Sequence, residues 1–188
     1  MKKNILSLLL IAAIQTMALG QSSILKVDTK ESQIHWIGKK VTGQHEGNIK
    51  LNSGSIAMDD KNIVGGSFEV DMASIVCTDL SGEYGTKLEK HLKSNDFFGV
   101  DDYPIAQMNI KGADQKMTNH FEVTGELTIR GITHPINFEM HLDGDQISTK
   151  LIVDRSKYDV RYRSGSFFEN LGDKMIYDDF ELDIILKL

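Results

Sequence analysis

The residues whose types could do chemistry are six histidines, one cysteine and a short basic run. The histidines are His35, His45, His91, His120, His134 and His141. None stand as His-x-His or His-x-x-x-His, and no cysteine accompanies them at ligand spacing, so the chain carries no local zinc motif. Serine, histidine and aspartate are all present, but no Gly-x-Ser-x-Gly elbow is. Gly165-Ser166 lies in a loop without the strand–turn–helix context an elbow needs. The acidic pairs Asp59-Asp60, Asp101-Asp102 and Asp178-Asp179 offer oxygen donors for a divalent cation but belong to no calcium loop. Solvated turns are the expectation for them. Cys77 reads as a small apolar residue rather than a nucleophile.

The basic run Arg155, Lys157, Arg161, Arg163 alternates with Tyr158 and Tyr162. Two readings stay open. Either the arginines pair with acidic turns, or one of them meets the polar head of a ligand. Arg161 is the candidate for the second role, with Tyr158 and Tyr162 lining the same mouth. His134 reads as a strand-end histidine bonded to a backbone carbonyl. His91 shares a helix face with Leu88 and Leu92, as a core histidine or at a pocket rim.

The elements that must hold these residues are mostly strands. From His120 to Val153 the chain alternates apolar and polar residues over three segments. The inward set would be Phe121, Val123, Gly125, Leu127 and Ile129, then Ile132 to Leu142 in steps of two, then Ile147 to Val153. Such period-two patterning marks strands with one wet and one dry face. The breaks at Gly131 and Asp143-Gly144-Asp145 are short, so neighbours should pair antiparallel. Upstream, Ile24–Asp28 and Ile34–Lys40 read as two strands, followed by Ile49–Met58. Val64, Gly66, Phe68, Val70 and Met72 form the inward set of the next, with a bulge or bend at Gly65-Gly66. Ala106, Met108 and Ile110 resume the pattern, and Phe180–Leu188 closes it. Gly85–Lys93 has helical spacing. Asn95–Pro104 is a loop carrying Phe97 and Phe98, and Asp154–Phe168 a loop with a short strand at Tyr158–Tyr162. At least eight strands and one helix imply a sandwich or a barrel. Eight strands is the size at which a barrel interior either fills or holds one small ligand.

Residues 1–20 read as a secretory signal peptide: Lys2-Lys3, an apolar run over Ile5–Ile14, and small residues before Gln21. The remaining stretch, 21–188, is expected to be one domain. Cleavage would remove two lysines, leaving 19 Lys+Arg against 27 Asp+Glu, a formal charge of −8. That argues against nucleic acid and against an anionic membrane surface. A single cysteine excludes an internal disulfide framework.

Four stretches carry a resemblance. They are Trp36-Ile37-Gly38-Lys39-Lys40-Val41 with Gly43, His45, Gly47 and Gly54; Leu88–Ser94 with Asp96-Phe97-Phe98 and Tyr103-Pro104; Gly125–Gly131 with Thr133 and Pro135; and Asp154-Arg155, Tyr158, Arg161-Tyr162 with Asp179–Leu182. Together, and in this order, they resemble the YceI-like family of exported polyisoprenoid-binding proteins. The resemblance implies an all-β, eight-stranded antiparallel lipocalin-like barrel with one short helix and a lid loop. It implies a hydrophobic cavity that holds an isoprenoid or other long alkyl chain, and no catalysis.

The expectation is therefore an exported protein, periplasmic or secreted, that carries or sequesters such a lipid. Trp36, Phe68, Val70, Met108, Leu127, Ile136, Phe138 and Leu151 would line the cavity. Leu88, His91, Leu92, Phe97 and Phe98 would form the lid. No cofactor and no metal are expected beyond the bound lipid, and a homodimer is an arrangement the sequence allows. Burial contributes roughly 0.8 kcal/mol per CH₂, so about twenty carbons give a gross term near ~16 kcal/mol before ordering costs. The rival readings are a cell-envelope interaction module with a filled barrel, and a metal-dependent enzyme using His91, His134 or Asp178.

Overall fold

The structure is a computed structural model that describes residues 22–60 and 62–188. The signal-peptide reading of residues 1–20 lies outside the described residues. Among the described residues nine strands form one antiparallel sheet: β1 (Ser22–Lys26), β2 (Asp28–Lys40), β3 (Gly43–Asp59), β4 (Asn62–Cys77), β5 (Ile105–Met117), β6 (His120–Ile129), β7 (Ile132–Asp143), β8 (Gln146–Asp154) and β9 (Ile176–Lys187). The strand order is β1-β3-β2-β9-β8-β7-β6-β5-β4, and β3 pairs with β4 to close the ring.

Nine strands make an eight-station barrel because β1 and β2 share a station. β1 pairs with the second half of β3, Lys26 opposite Ser55. Val27 then donates its N–H to the Gly54 carbonyl at 3.0 Å. β2 resumes on the first half of β3, with Ile34 opposite Ile49, while its other edge pairs with β9. The alternation predicts two consecutive strands here, Ile24–Asp28 and Ile34–Lys40; the structure puts the break at Val27, giving Ser22–Lys26 and Asp28–Lys40, and lays them end to end. Closure removes the free edges that an open sheet of this length would expose.

The hairpin turns are short because the chain supplies residues that accept positive φ. Arg130 and Gly131, at φ 51° and 72°, join β6 to β7 with Ile129 opposite Ile132. That is a type I′ geometry, whose twist suits a two-residue hairpin. The two long connections, β4 to β5 and β8 to β9, both leave from the end of the barrel that holds Lys40, Cys77 and Ile129. The first carries helix α1 (Gly82–Lys93). Glu83 in its first turn and Lys90 and Lys93 in its last complement the helix dipole. The second begins with a 3₁₀ turn at Arg155–Tyr158, capped by Asp154, whose carboxylate accepts from the Ser156 N–H. The strand expected at Tyr158–Tyr162 is absent from the described structure. Asp159 adopts a left-handed φ of 60° there, which breaks an extended run.

Parity holds without a shift along the β6–β7, β7–β8 and β8–β9 pairs and slips on the β2–β9, β3–β4 and β5–β6 pairs. Ala57 pairs with Gly65 but Met58 with Ile63, so Val64 is skipped. This bulge puts Ile63 inside at 1% exposure and Val64 outside at 49%. The alternation predicts the reverse at Val64, because a bulge shifts every side chain on its far side by one.

The interior packs as two clusters. At the far end, Ile56, Ile63, Phe121, Val123, Met140 and Ile147 form a fully buried plug. Beneath α1, Met72, Ile75, Leu92, Phe97, Val100, Ile129, Val153 and Val160 form the second cluster.

Candidate functional site

Between the two clusters lies a gap. Ile49, Val70, Met108, Phe138, Leu182 and Ile184 pack against both and are fully buried in neither. Every one of them lines a cavity of about 190 Å³. Its wall runs along β9 from Ile176 to Leu186, a path of about 33 Å at the usual strand rise. Apart from Gln107, Thr149, Arg155 and Tyr177, the residues around it are apolar side chains and one glycine, Gly38. The filled-barrel alternative does not describe this interior.

The far end is shut by the plug, and the other end is roofed. Leu92 at the last turn of α1, with Phe97 and Phe98 just beyond it, reaches down to the cavity. The loop holds its shape through its own backbone: Phe98 N–H donates to Leu92 O at 3.1 Å, and Val100 N–H to Lys93 O at 2.9 Å. It is tied to the barrel by Arg130 in the β6–β7 turn, which donates to the carbonyls of Phe97 and Asn95 and lies 5.5 Å from the centre of the Tyr103 ring. Burying Phe97 and Leu92 contributes about 1.5–3 kcal/mol each to keeping the roof down.

Of the sixteen residues singled out in the sequence, ten line the cavity: Trp36, Phe68, Val70, Leu92, Phe97, Phe98, Met108, Leu127, Phe138 and Leu151. Six do not touch it. Ile136 points inward but packs into the upper cluster, as does Leu88 from α1. Tyr158 is buried in that cluster too, with its ring edge-on to His134. His91 stands between Phe97 and Tyr162, ring centroids 5.1 and 4.4 Å away, and its Nε2 is buried without a hydrogen-bond partner. Tyr162 and Arg161 line an open polar cleft with Asn95, Asp96, Arg130 and Arg163, outside the roof. Arg161 pairs with Asp159 at 2.5 Å and lies over Phe167, so it faces solvent and no cavity.

The arginine at the cavity is Arg155, which the sequence reading passed over. It is 3% exposed. Its Nε donates to Tyr177 O at 3.2 Å, Nη1 to Val160 O at 2.8 Å and Nη2 to Ile176 O at 3.1 Å. The Asp178 carboxylate is 3.3 Å away. Burial pushes the guanidinium pKa down, with Asp178 and Asp154 pulling it back. A usable signal was present in the chain. Leu151 and Val153 point inward, so Arg155 continues their parity. Val153 pairs with Phe180 and Asp154 with Asp179, which makes Arg155 and Asp178 the next opposed pair.

The other chemical candidates are structural. His134 Nε2 meets Lys157 O at 2.9 Å, as expected for a strand-end histidine. Cys77 is half-buried rather than a core residue, and its thiol donates to Asp79 Oδ1 at 3.1 Å. Burial first, then that bond, pushes the thiol pKa up, which keeps it un-ionised and unreactive. His91, His134 and Asp178 share no site; among the described residues no three metal-ligating side chains converge.

The comparisons agree with this architecture. The signature of the YceI-like domain matches residues 25–188. The chain belongs to the YceI-like family. Protein YceI of Escherichia coli is 28% identical over 150 residues, covering 77% of this chain and 74% of that one. A UPF0312 protein of Vibrio campbellii is 30% identical over 99 residues, 53% of this chain, and the match spans half of that protein's length. Among solved structures, Burkholderia cenocepacia BcnA superposes with a TM-score of 0.69 at 20% identity, covering 85% of this chain and 98% of that one. A polyisoprenoid binding domain from Saccharophagus degradans gives 0.58 at 13%, covering 88% and 97%. At these identities the structures establish a shared barrel. Within this YceI-like barrel no described helix is long and apolar enough to cross a membrane.

Proposed function

We propose that this YceI-like protein is a non-catalytic carrier or sequestering protein for an isoprenoid or other long-chain lipid, held in the barrel cavity. The observation that carries the reading is the cavity wall. A hydrocarbon tail has no hydrogen bonds to offer, so its site is a dry hollow lined by apolar side chains. The wall from Trp36 to Phe138 and Leu182 is of that kind. The Saccharophagus degradans relative of the same fold, described as a polyisoprenoid binding domain, supports the same ligand class. The residues 1–20 pattern supports an exported protein, periplasmic or secreted, with the lipid as its partner and no further cofactor.

An apolar wall discriminates weakly between tails, because one methylene more or less is worth only about 1–3 kcal/mol in a hydrophobic pocket. Chain length and flexibility therefore matter more here than double-bond pattern. Organic extraction of the purified protein followed by mass spectrometry tests the reading, together with titration of added prenol or quinone. A co-purified or added lipid bound one to one is the expected result. Neither bound lipid nor uptake of either probe by the folded protein overturns it. Phe138→Asp should abolish loading while Ile152→Asp, on the outer face at 62% exposure, leaves it intact.

A further inference from the structure

The outer wall at the plugged end carries a side-chain pair for which the cavity has no use. His120 on β6 and His141 on β7 are directly opposed in register. Their neighbours Phe121 and Met140 point inward and are buried, so both imidazoles project outward. The rings meet near edge-on, with centroids 4.3 Å apart. His120 Nδ1 lies 3.0 Å from His141 Nε2 and 3.3 Å from His141 Nδ1. The other nitrogen of His120, Nε2, is 3.8 Å from the Glu139 carboxylate.

We propose that His120 and His141 form a two-histidine chelating site for a divalent transition metal of the Cu(II) or Zn(II) class. The argument is one of bite. Metal–imidazole bonds are about 2.0–2.1 Å long. Two such bonds to nitrogens 3.0 to 3.3 Å apart enclose an angle of about 91–111°. That range runs from square-planar to tetrahedral coordination, the geometries of Cu(II) and Zn(II). The rings stand at chelating distance before any metal arrives, because opposed positions in an antiparallel pair bring side chains together.

Glu139 supplies the second half of the argument. The carboxylate is 3.8 Å from Nε2, beyond hydrogen-bond distance, and favours the ring proton on that nitrogen electrostatically, which leaves the Nδ1 lone pair on the side of His141. Glu139 then orients a ligand rather than serving as one. Glu122 is opposed to Glu139 on the same outer face but is held by Lys116 at 2.8 Å. With two protein donors, the remaining coordination positions belong to water or to a donor from a partner. The site sits at the end opposite the roof and is independent of the lipid reading.

Titrating the purified full-length protein with CuCl₂, and separately with ZnCl₂, by calorimetry tests it. One saturable site is expected, with a Cu(II) electron paramagnetic resonance spectrum split by two imidazole nitrogens. His120→Gln and His141→Ala should each abolish that site, and Glu139→Gln should weaken it by about ten-fold or more. His35→Ala and His45→Ala should leave it unchanged. Circular dichroism confirms that each variant is folded. Wild-type binding that survives in His141→Ala, a spectrum without two coupled nitrogens, or no saturable binding of either metal overturns the proposal.

Discussion

Arg155 lies with its guanidinium carbon 5.6 Å from the centre of the Phe97 ring. One residue follows β8 and the other follows α1, so this contact joins the two long connections over the barrel mouth. The arginine is fixed from below by three carbonyls and Asp178, and Asp178 Oδ2 in turn accepts from the Ser166 hydroxyl at 2.7 Å. The roof therefore rests on a buried charge whose hydrogen bonds are spent on structure.

Arg155→Met should test that arrangement. The methionine fills the volume but leaves three carbonyls without their donor and the Asp178 carboxylate without its counter-charge. Removing one partner of a buried pair costs about 3–5 kcal/mol, and denaturant unfolding should show a loss of that size. Arg155→Lys should recover only part of it, since an ammonium lacks the fork that serves separated acceptors. A loss below about 1 kcal/mol for Arg155→Met would mean the network does not hold the roof.

A second contact fixes the wall. Trp36 crosses Gly47 and donates its indole N–H to Val76 O at 3.2 Å. A Cβ on Gly47 would lie 1.9 Å from that carbonyl oxygen and 2.7 Å from the indole. Gly47→Ala should therefore displace Trp36 and part β3 from β4. The chain has one tryptophan, so its emission reports the displacement directly. The expected outcome is red-shifted emission with a stability loss of about 1–3 kcal/mol, the range for overpacking. Unchanged emission would show that the strand absorbs the methyl group.

The barrel was legible in the chain because its central strands, β6 to β8, keep strict parity. His120–Ile129 and Ile132–Asp143 pair without a single register shift, and their inward residues are the ones the alternation selects. What escaped were places where the backbone departs from parity or leaves the strands. The skipped Val64 is one: Gly65-Gly66 marked a bulge or bend at this place, but not that Ile63 rather than Val64 would turn inward. Tyr158 and Arg161 are another: the turn after β8 curls back under α1, so spacing along the chain says nothing about which of them meets the cavity. Arg155 was within reach, because it continues the inward parity of β8 for one step beyond the strand.

The bulge at Val64 gives a paired test. Ile63→Asp places a carboxylate in the plug and should unfold the protein or cost several kcal/mol. Val64→Asp, one residue on, should stay within about 0.5 kcal/mol of the parent. Thermal unfolding of the two variants decides it, and the reverse order would mean that Val64 is the inward residue.

Acid stability should depend on two carboxyls. Desolvation pulls Asp79 upward, but hydrogen bonds from the Cys77 thiol, the Glu46 N–H and His45 outweigh it and hold the group at about 2 rather than 3.8. Bonds from Lys39 and Lys150 hold Glu181 at about 2 rather than 4.5. In both cases the unfolded chain takes up its proton at higher pH than the folded one. The stability they contribute is complete above the unfolded values and is lost as pH falls from about 4.5 to about 2. Asp79→Asn should therefore be less stable than the parent near neutral pH, with the gap closing across that window. Denaturant midpoints taken through the acid range measure it, and a gap that stays constant to the lowest pH would count against the assignment.

The size of the cavity sets the last expectation. At about 190 Å³ it exceeds the roughly 150 Å³ that admits benzene in an engineered protein core. A ligand of six to ten carbons or so therefore enters the hollow as it stands. A tail of twenty carbons needs more room, which must come from the half-buried residues between the two clusters, Met108 and Phe138 among them. Methionine is unbranched and re-packs at low cost, and Met72, Met108 and Met140 all line the wall. Affinity along a series of linear alcohols should rise by up to about 0.8 kcal/mol per methylene at first, then less steeply once side chains must move aside. Trp36, on the wall itself, gives the readout through its emission. A slope that stays at its initial value to twenty carbons would show that the hollow is already open to its full length. A slope near zero from the start would show that alkyl chains do not enter it.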